Sequence, residues 1–536
     1  MNHAVINHTL SADLVQLLPL IAVVATGCVL LLFQSLIEPR LQRNPVRSLR
    51  SPRVSTPPAT TLPSMAGFGV LSVLGLAVAA YLAFSSWHAM STDSISLMAG
   101  MMHSSRFVLS ADMILIVVTA LSIIVSATYM TAVPFCRGDY YVLMLLSLAG
   151  MMFMIHANNL VMLVIGLETM SLAVYALIAS WPGRARGAES GIKYFITGAV
   201  ISALLLYGIA LIYGYCGSTD FAVIADHLAR SGMTPLPIFG MLLVLCAMLF
   251  KVAAAPFYMW LPDAYEGAPT PVTGFMAAAV KSASFIALTR LLYGLFRTES
   301  LMSSPSGWAN IIAWLSVITM TVGNLGALKQ KSVKRMLAYS SVAHAGYLLL
   351  GVVAVGLVPD AESALLIYLA LYSLATIGCF AVIAWISSRY DIAGEYLADF
   401  RGLGRRHPLV AFAMSCFLLS LGGFPPLAGF FGKFMLFRAA MEHSGLAVFV
   451  VIAVLNSVLS LYYYLQPVIA MYFEDSESHL LANGGGSGGD KHLEPGVLRA
   501  APGALRLVIV ALGFATIIAS LFPQLGLHFV SGSPLH

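Results

Sequence analysis

Five ionisable side chains stand inside long apolar runs of this chain: Glu168, Lys251, Lys281, Lys433 and His344. In hydrocarbon a charged group costs at least about 2.5–3.5 kcal/mol on insertion scales, so it persists where it lines a cavity or does a job. A carboxylate, three lysines and an imidazole are the groups that hold and pass protons. Lysine is the basic side chain that gives up its proton most readily when desolvated, and a neutral imidazole can relay between water chains. Glu168, in NNLVMLVIGLETMSLAVYALIAS, lies near mid-span. It can pair with a lysine and keep its charge, or lose the pair and take a proton; a fixed ion pair that only locates helices is the plainer alternative. Lys251 is followed five residues later by Pro256, which removes a hydrogen bond and clashes with the carbonyl of Val252. The helix should break beside the charge, and the freed carbonyls should draw water. Snorkelling to the interface is the competing reading. Lys281, ten residues past Pro271 and beside Ser282 and Ser284, is expected to share a cavity with Lys251, coupling their titrations. Lys433 follows GGFPPLAG, where Pro425 and Pro426 predict a second interruption. His344 shares its run with Tyr339, Ser340, Ser341 and Tyr347 and reads equally as a relay or as an ordinary hydrogen-bonded histidine. Asp112, Lys193, Asp263 and Glu266 lie nearer the loops, as access or contact groups.

The elements that position these groups follow from composition. Hydrophobic residues make up 59% of the 536 and charged residues 10%, with a mean hydropathy of +0.88. A soluble protein would carry about 25% charge, so lipid must be the solvent around the fold. Apolar runs predict an all-α, polytopic membrane protein with about 14 transmembrane helices, at 14–33, 65–84, 108–130, 140–155, 160–180, 191–215, 236–262, 270–296, 308–328, 333–356, 363–388, 408–440, 446–472 and 503–522. The runs are too long for the strands of a membrane barrel. Helices 7 and 12 are the interrupted ones. Broken helices in corresponding positions point to two inverted five-helix repeats around an ion path. The expected organisation is therefore helices 1–3 with an Arg/Pro-rich cytoplasmic loop at 39–64 (residues 1–139), a first repeat (140–297), a second repeat (308–472), a flexible cytoplasmic loop (473–502), and a last helix and tail (503–536).

Basic residues give the phase. With the loop after the first helix in the cytoplasm, 20 of the 28 Lys and Arg residues fall on that side, five on the other, and Lys251, Lys281 and Lys433 on neither. The positive-inside rule then puts both termini in the periplasm. The N-terminus has no basic region before its first apolar run and reads as a helix retained in the mature protein. The net charge of +5 is not gathered into a face for nucleic acid. The six cysteines stand singly, without CxxC or metal-ligand spacing, and read as small buried hydrophobes. NGGGSGGDK at 483–491 lacks the spacing of a phosphate loop and reads as a linker.

Three stretches carry a family resemblance: FKVAAAPFYMWLPDAYEGAPTPVTGF, KQKSVKRMLAYSSVAHAGYLLLG and LSLGGFPPLAGFFGKF. The chain resembles subunit N of the bacterial proton-translocating NADH-quinone oxidoreductase, respiratory complex I, over roughly 65–475 and the last helix. The first stretch is shared more loosely with antiporter-like subunits L and M and with Mrp-type antiporter subunits. Lysine at 433, where subunit M has glutamate, and the lack of a lateral helix favour N. The resemblance implies a proton-translocating subunit of a multi-subunit translocase in the bacterial cell inner membrane, coupled to electron transfer from NADH to quinone. The implied catalytic set is Glu168, Lys251, Lys281, His344 and Lys433, with Glu168 stabilising protonated Lys251 and the proton passing to Lys281, His344 and Lys433. It implies no cofactor in this chain; FMN, iron–sulfur clusters, NADH and quinone belong to other subunits. The implied partners are antiporter-like subunit M, small subunits of the K/J type and membrane lipid. A monovalent cation/proton antiporter subunit of the Mrp type is the alternative.

Overall fold

A computed structural model describes residues 3–41, 62–90, 94–130, 138–181, 184–231, 234–297, 302, 307–358, 360–390, 394–474 and 503–522. Most of the Arg/Pro-rich loop at 39–64 and the whole glycine-rich segment lie outside the described residues.

The described residues are predominantly helical. The helices are α1 (His3–Leu41), α2 (Leu62–Ala89), α3 (Arg106–Met130), α4 (Gly138–His156), α5 (Leu160–Ile178) and α6 (Ala185–Cys216). Next come α7 (Phe221–Ser231), α8 (Pro235–Lys251), α9 (Trp260–Gly267) and α10 (Thr270–Leu295). The second half holds α11 (Trp308–Leu328), α12 (Val333–Val355), α13 (Ala361–Tyr390), α14 (Pro408–Gly422), α15 (Ala428–Met441), α16 (Ala447–Phe473) and α17 (Gly503–Leu521). Twelve are long and apolar enough to cross a membrane, and α8 and α14 are shorter apolar helices. Two elements depart from the sequence expectation. A hairpin, β1 (Ile95–Leu97) and β2 (Met102–Ser104), links α2 to α3, and amphipathic α7 follows α6.

The burial pattern is that of a bundle in lipid. Helices α10 and α12 are enclosed almost completely, while α1, α2, α6, α16 and α17 present large apolar side chains outward, among them Leu36, Tyr81, Ile192, Leu455 and Leu507. Such a surface is stable only in an apolar solvent. The cysteine expectation holds for Cys379 and Cys416; Cys28 is exposed on the apolar outside, and the five described cysteines are all free.

Two helix pairs pack through glycine. A Cβ at Gly150 of α4 would meet the Met170 backbone nitrogen at 2.4 Å, and one at Gly166 of α5 would meet that of Met154 at 2.4 Å. Gly323 of α11 and Gly346 of α12 stand in the same relation to Ala343 and Met320, at 2.4 and 2.5 Å. Small residues let membrane helices approach to backbone contact.

Candidate proton-handling axis

Both predicted interruptions are present, and a lysine attends each. Helix α8 ends at Lys251, and regular helix resumes only at Trp260. Across the gap, Ala253 takes a positive φ of 56° and the Ala255–Pro256 bond is cis. Two of the polar groups there have protein partners. Trp260 Nε1 donates to the carbonyl of Phe250 (3.1 Å), and the Ala255 amide donates to Thr319 Oγ1 on α11 (3.0 Å). Helix α14 ends at Gly422, with Gly423 at φ 79°, and α15 begins at Ala428. Lys433 Nζ reaches back to the Gly422 carbonyl (3.1 Å) and to Ser457 Oγ on α16 (2.9 Å).

The three lysines and His344 are buried inside the bundle, at 5% (Lys251), 4% (Lys281), 4% (Lys433) and 3% (His344) exposure. Lys251 Nζ donates to Ser171 Oγ (2.8 Å) and faces Tyr175 OH (3.5 Å), both on α5. These lie three and seven residues after Glu168, on one helical stripe. Glu168 itself is half-buried and accepts from Ser202 of α6. So Glu168 and Lys251 share a helix face through Ser171 but form no direct ion pair within 4.0 Å. The expected carboxylate–lysine contact is corrected to an indirect one.

Lys281 follows a single π turn, Met276–Val280, in α10, a geometry that recurs at functional sites. Its Nζ donates to the carbonyl and to Oγ of Ser341 on α12, the latter at 2.7 Å. Tyr372 OH of α13 donates to the same Ser341 Oγ (3.1 Å), and the ammonium sits 5.3 Å from the Tyr372 ring centre. Lys281 thus faces α12 and α13, whereas Lys251 faces α5. The two lysines, expected to share a cavity, have no hydrogen-bond partner in common, because their side chains leave their helices toward different neighbours.

His344 joins Lys281 to Lys433. Its Nδ1 is 2.5 Å from Tyr368 OH, its Nε2 3.1 Å from Tyr464 OH, and its ring 4.8 Å from that of Tyr372. It also abuts Tyr347, whose face lies 5.0 Å from Lys433 Nζ. Tyr347 OH accepts from Asn324 (3.2 Å), which meets Asn456 (3.0 Å) and Tyr463 (2.9 Å). The tyrosine and asparagine cage was not read from the sequence. Only Tyr339, Ser340, Ser341 and Tyr347 beside His344 hinted at it, since the tyrosines and asparagines of the other helices look like bulk in an apolar run.

A second network closes one end of the bundle. Buried Lys334 pairs with Glu395 (3.3 Å), which also meets Arg184 (3.6 Å). Arg335 bridges Glu266 (2.7 Å) and Asp263 (3.2 Å), and Lys193 meets Glu189 (2.7 Å) and Asp263 (3.7 Å). Arg186, Glu189, Ser190, Lys193, Asp263 and Glu266 line a polar cavity of about 240 Å³ there. Asp112 is found at the other end, against His156.

Comparison with known proteins gives the family. The family described as NADH:quinone oxidoreductase/Mrp antiporter, transmembrane, matches residues 157–460. NADH-quinone oxidoreductase subunit N 1 of Sorangium cellulosum is 46% identical over 376 residues, 69% of this chain and 74% of that protein. A chain of respiratory complex I from Thermus thermophilus superposes with a TM-score of 0.73 at 31% identity, covering 96% of this chain and all of the other. A chain of the Mrp complex from Dietzia shares the fold at a TM-score of 0.71 and 23% identity, covering 98% and 96%. The breaks beside Pro256 and Pro425, the lysines that attend them and these likenesses place the chain in the NADH-quinone oxidoreductase subunit N family, a branch of the NADH:quinone oxidoreductase/Mrp antiporter membrane proteins.

Proposed function

We propose that this chain is the proton-translocating subunit N of a bacterial inner-membrane NADH-quinone oxidoreductase, carrying no redox centre and moving protons in response to quinone reduction elsewhere in the complex. The observation that carries the reading is the buried run Lys281–Ser341–Tyr372–His344–Tyr347–Lys433, linked by hydrogen bonds from Lys281 through Ser341 to Tyr372 and by ring approaches from Tyr372 to Lys433. A structural scaffold has no need of three buried lysines.

In this reading Glu168 is the input. It is half-buried, so a neighbouring subunit can reach its field, and Ser171 lies between it and Lys251. A carboxylate at 168 attracts the Lys251 ammonium. When a neighbour draws that attraction away, Lys251 gives up its proton toward Lys281. Among the described residues no hydrogen-bonded side chain spans this gap, so water carries that step. From Lys281 the hydroxyls of Ser341 and Tyr372 and the imidazole of His344 lead to Lys433. Each step is a shift between protonation states whose relative populations the neighbouring charge sets.

The repeat architecture is part of the proposal. Fourteen spans result when α8 with α9 and α14 with α15 each count as one broken crossing. Two five-helix units then run from α4 to α10 and from α11 to α16, preceded by three helices and followed by α17. The matching glycine crossings, Gly150–Gly166 and Gly323–Gly346, support an internal repeat. The phase of basic residues supports periplasmic termini. The proposed partners are an antiporter-like subunit M and small subunits of the K/J type. The identity to subunit N, against 23% to the Mrp chain, favours this over a cation/proton antiporter. Co-purification decides it: flavin and iron–sulfur subunits should accompany the tagged chain, and their absence alongside Mrp-type partners would reverse the choice.

A further inference from the structure

Away from the lysine axis and from the Lys334–Glu395 cluster, another titratable pair is enclosed among the described residues. Asp112 on α3 is 1% exposed and His156, the last residue of α4, 3%. Asp112 Oδ2 and His156 Nε2 are 2.8 Å apart. The remaining polar atom of each, Asp112 Oδ1 and His156 Nδ1, is buried without a protein partner, as is Ser104 Oγ on β2. Strand β2 is held against this end of α4 by the Met102–Ala157 bridge. A buried polar atom left without a partner costs about 1–3 kcal/mol, and an enclosed polar spot of this kind is where ordered water belongs.

The location is fixed by α10. Its start lies at the Lys334 network, where Lys334 Nζ donates to the Ala268 carbonyl (2.6 Å). Some twenty residues on, Arg290 donates to the carbonyl of Ile155, next to His156. At 1.5 Å per residue that is about 30 Å, the thickness of the hydrocarbon layer. The pair therefore sits at the far end of the bundle from the Lys334–Glu395 cluster.

The geometry points to a hydrated proton-exchange site at Asp112 and His156: His156 Nδ1 takes and releases a proton through water, while Asp112 holds Nε2–H and balances the charge. With Nδ1 bare, the pair is a carboxylate and a neutral imidazole. A proton from water adds to the Nδ1 lone pair and gives carboxylate and imidazolium, a neutral pair. No bond of the backbone or ring breaks in either direction. Toward this end the elements around it also carry His88 on α2, His103 on β2, Arg106 on α3, Arg290 and Tyr293 on α10 and Glu362 on α13, while Asp139 on α4, Lys281 on α10 and Arg389 on α13 lie farther along their helices. Arg106 is turned to the Met90 carbonyl (2.9 Å) and the Trp87 ring, and Arg290 to Ile155, so neither guanidinium closes the Asp112–His156 contact.

The site's use in translocation rests on the reading above, but its existence does not, and the test separates them. The chain is purified with the subunits that accompany it, and infrared difference spectra are recorded between acid and alkaline pH, in H2O and D2O. The native protein should show an imidazole–imidazolium component sensitive to D2O. It should be absent in His156→Gln, which keeps a donor toward Asp112, and displaced in Asp112→Asn, which cannot balance the charge. Spectra of native protein and both variants that superimpose would overturn the site. If neither variant accumulates, the native protein still decides the matter: with histidine isotopically labelled, a component that does not respond to D2O during the measurement means that water does not reach Nδ1, and overturns it too.

Discussion

Lys433 Nζ lies 3.1 Å from the carbonyl oxygen of Gly422, the residue at which α14 breaks. A cation is thereby set against the negative end of a helix dipole inside the membrane, and the same ammonium reaches Ser457 on the neighbouring helix. In the proposed relay this one side chain serves both the architecture and the chemistry, and substitutions can pull these apart.

Lys433→Arg keeps a permanent charge at the broken end of α14 but cannot give up its proton. The variant should assemble, and turnover coupled to proton ejection should fall about tenfold or more, equivalent to ~1.4 kcal/mol or above. Assembly is read on native gels and turnover in inverted membrane vesicles. Full coupled turnover in Lys433→Arg would remove this residue from the relay.

Ser341→Ala deletes the hydroxyl that receives both Lys281 and Tyr372. A hydrogen bond to a charged group contributes about 1.5–3 kcal/mol. The expected result is a several-fold slowing of proton ejection with the chain still assembled, and a milder effect for Ser341→Thr. Equal rates for Ala and wild type would mean that the hydroxyl is a bystander.

Gly150→Leu and Gly323→Leu should each block accumulation of the folded chain. The Met170 and Ala343 backbones stand 2.4 Å from the new Cβ, and a helix backbone cannot yield locally. Chain level and heat stability in detergent measure this. Normal accumulation of either variant would show that the paired helices separate more easily than their packing implies.

Lys334→Met should destabilise the chain toward the lower end of the ~3–5 kcal/mol typical of a broken buried ion pair. The reason for the lower end is Arg184, which stays 3.6 Å from Glu395 and still offers it a positive charge. Removing both cations should cost clearly more than the sum of the two single losses in a double-mutant comparison; simple additivity would contradict a shared partner.

What the sequence disclosed and what it withheld have separate physical reasons. Spans such as Trp308–Leu328 and the break after Lys251 were legible, because apolar length and proline chemistry are local properties. The candidate residues were legible for the same reason: a lysine in twenty apolar residues is conspicuous. Which way Lys281 points was not. That depends on the π turn before it and on Ser341 sixty residues later. The Tyr347–Asn324–Asn456–Tyr463 cluster likewise joins neighbouring α11 and α12 to α16, 132 residues on from Asn324 to Asn456. The hairpin at 95–104 was hidden because two three-residue strands leave no clear alternation to read.

The central claim is that half-buried Glu168 governs a proton path coupled to redox turnover, and Glu168→Gln in membrane preparations tests it most directly. NADH oxidation by quinone and the proton gradient it builds are measured together. Both should fall, since the amide keeps the contact with Ser202 but no longer attracts Lys251. Oxidation and gradient both at wild-type levels would make Glu168 a structural polar residue and contradict the relay.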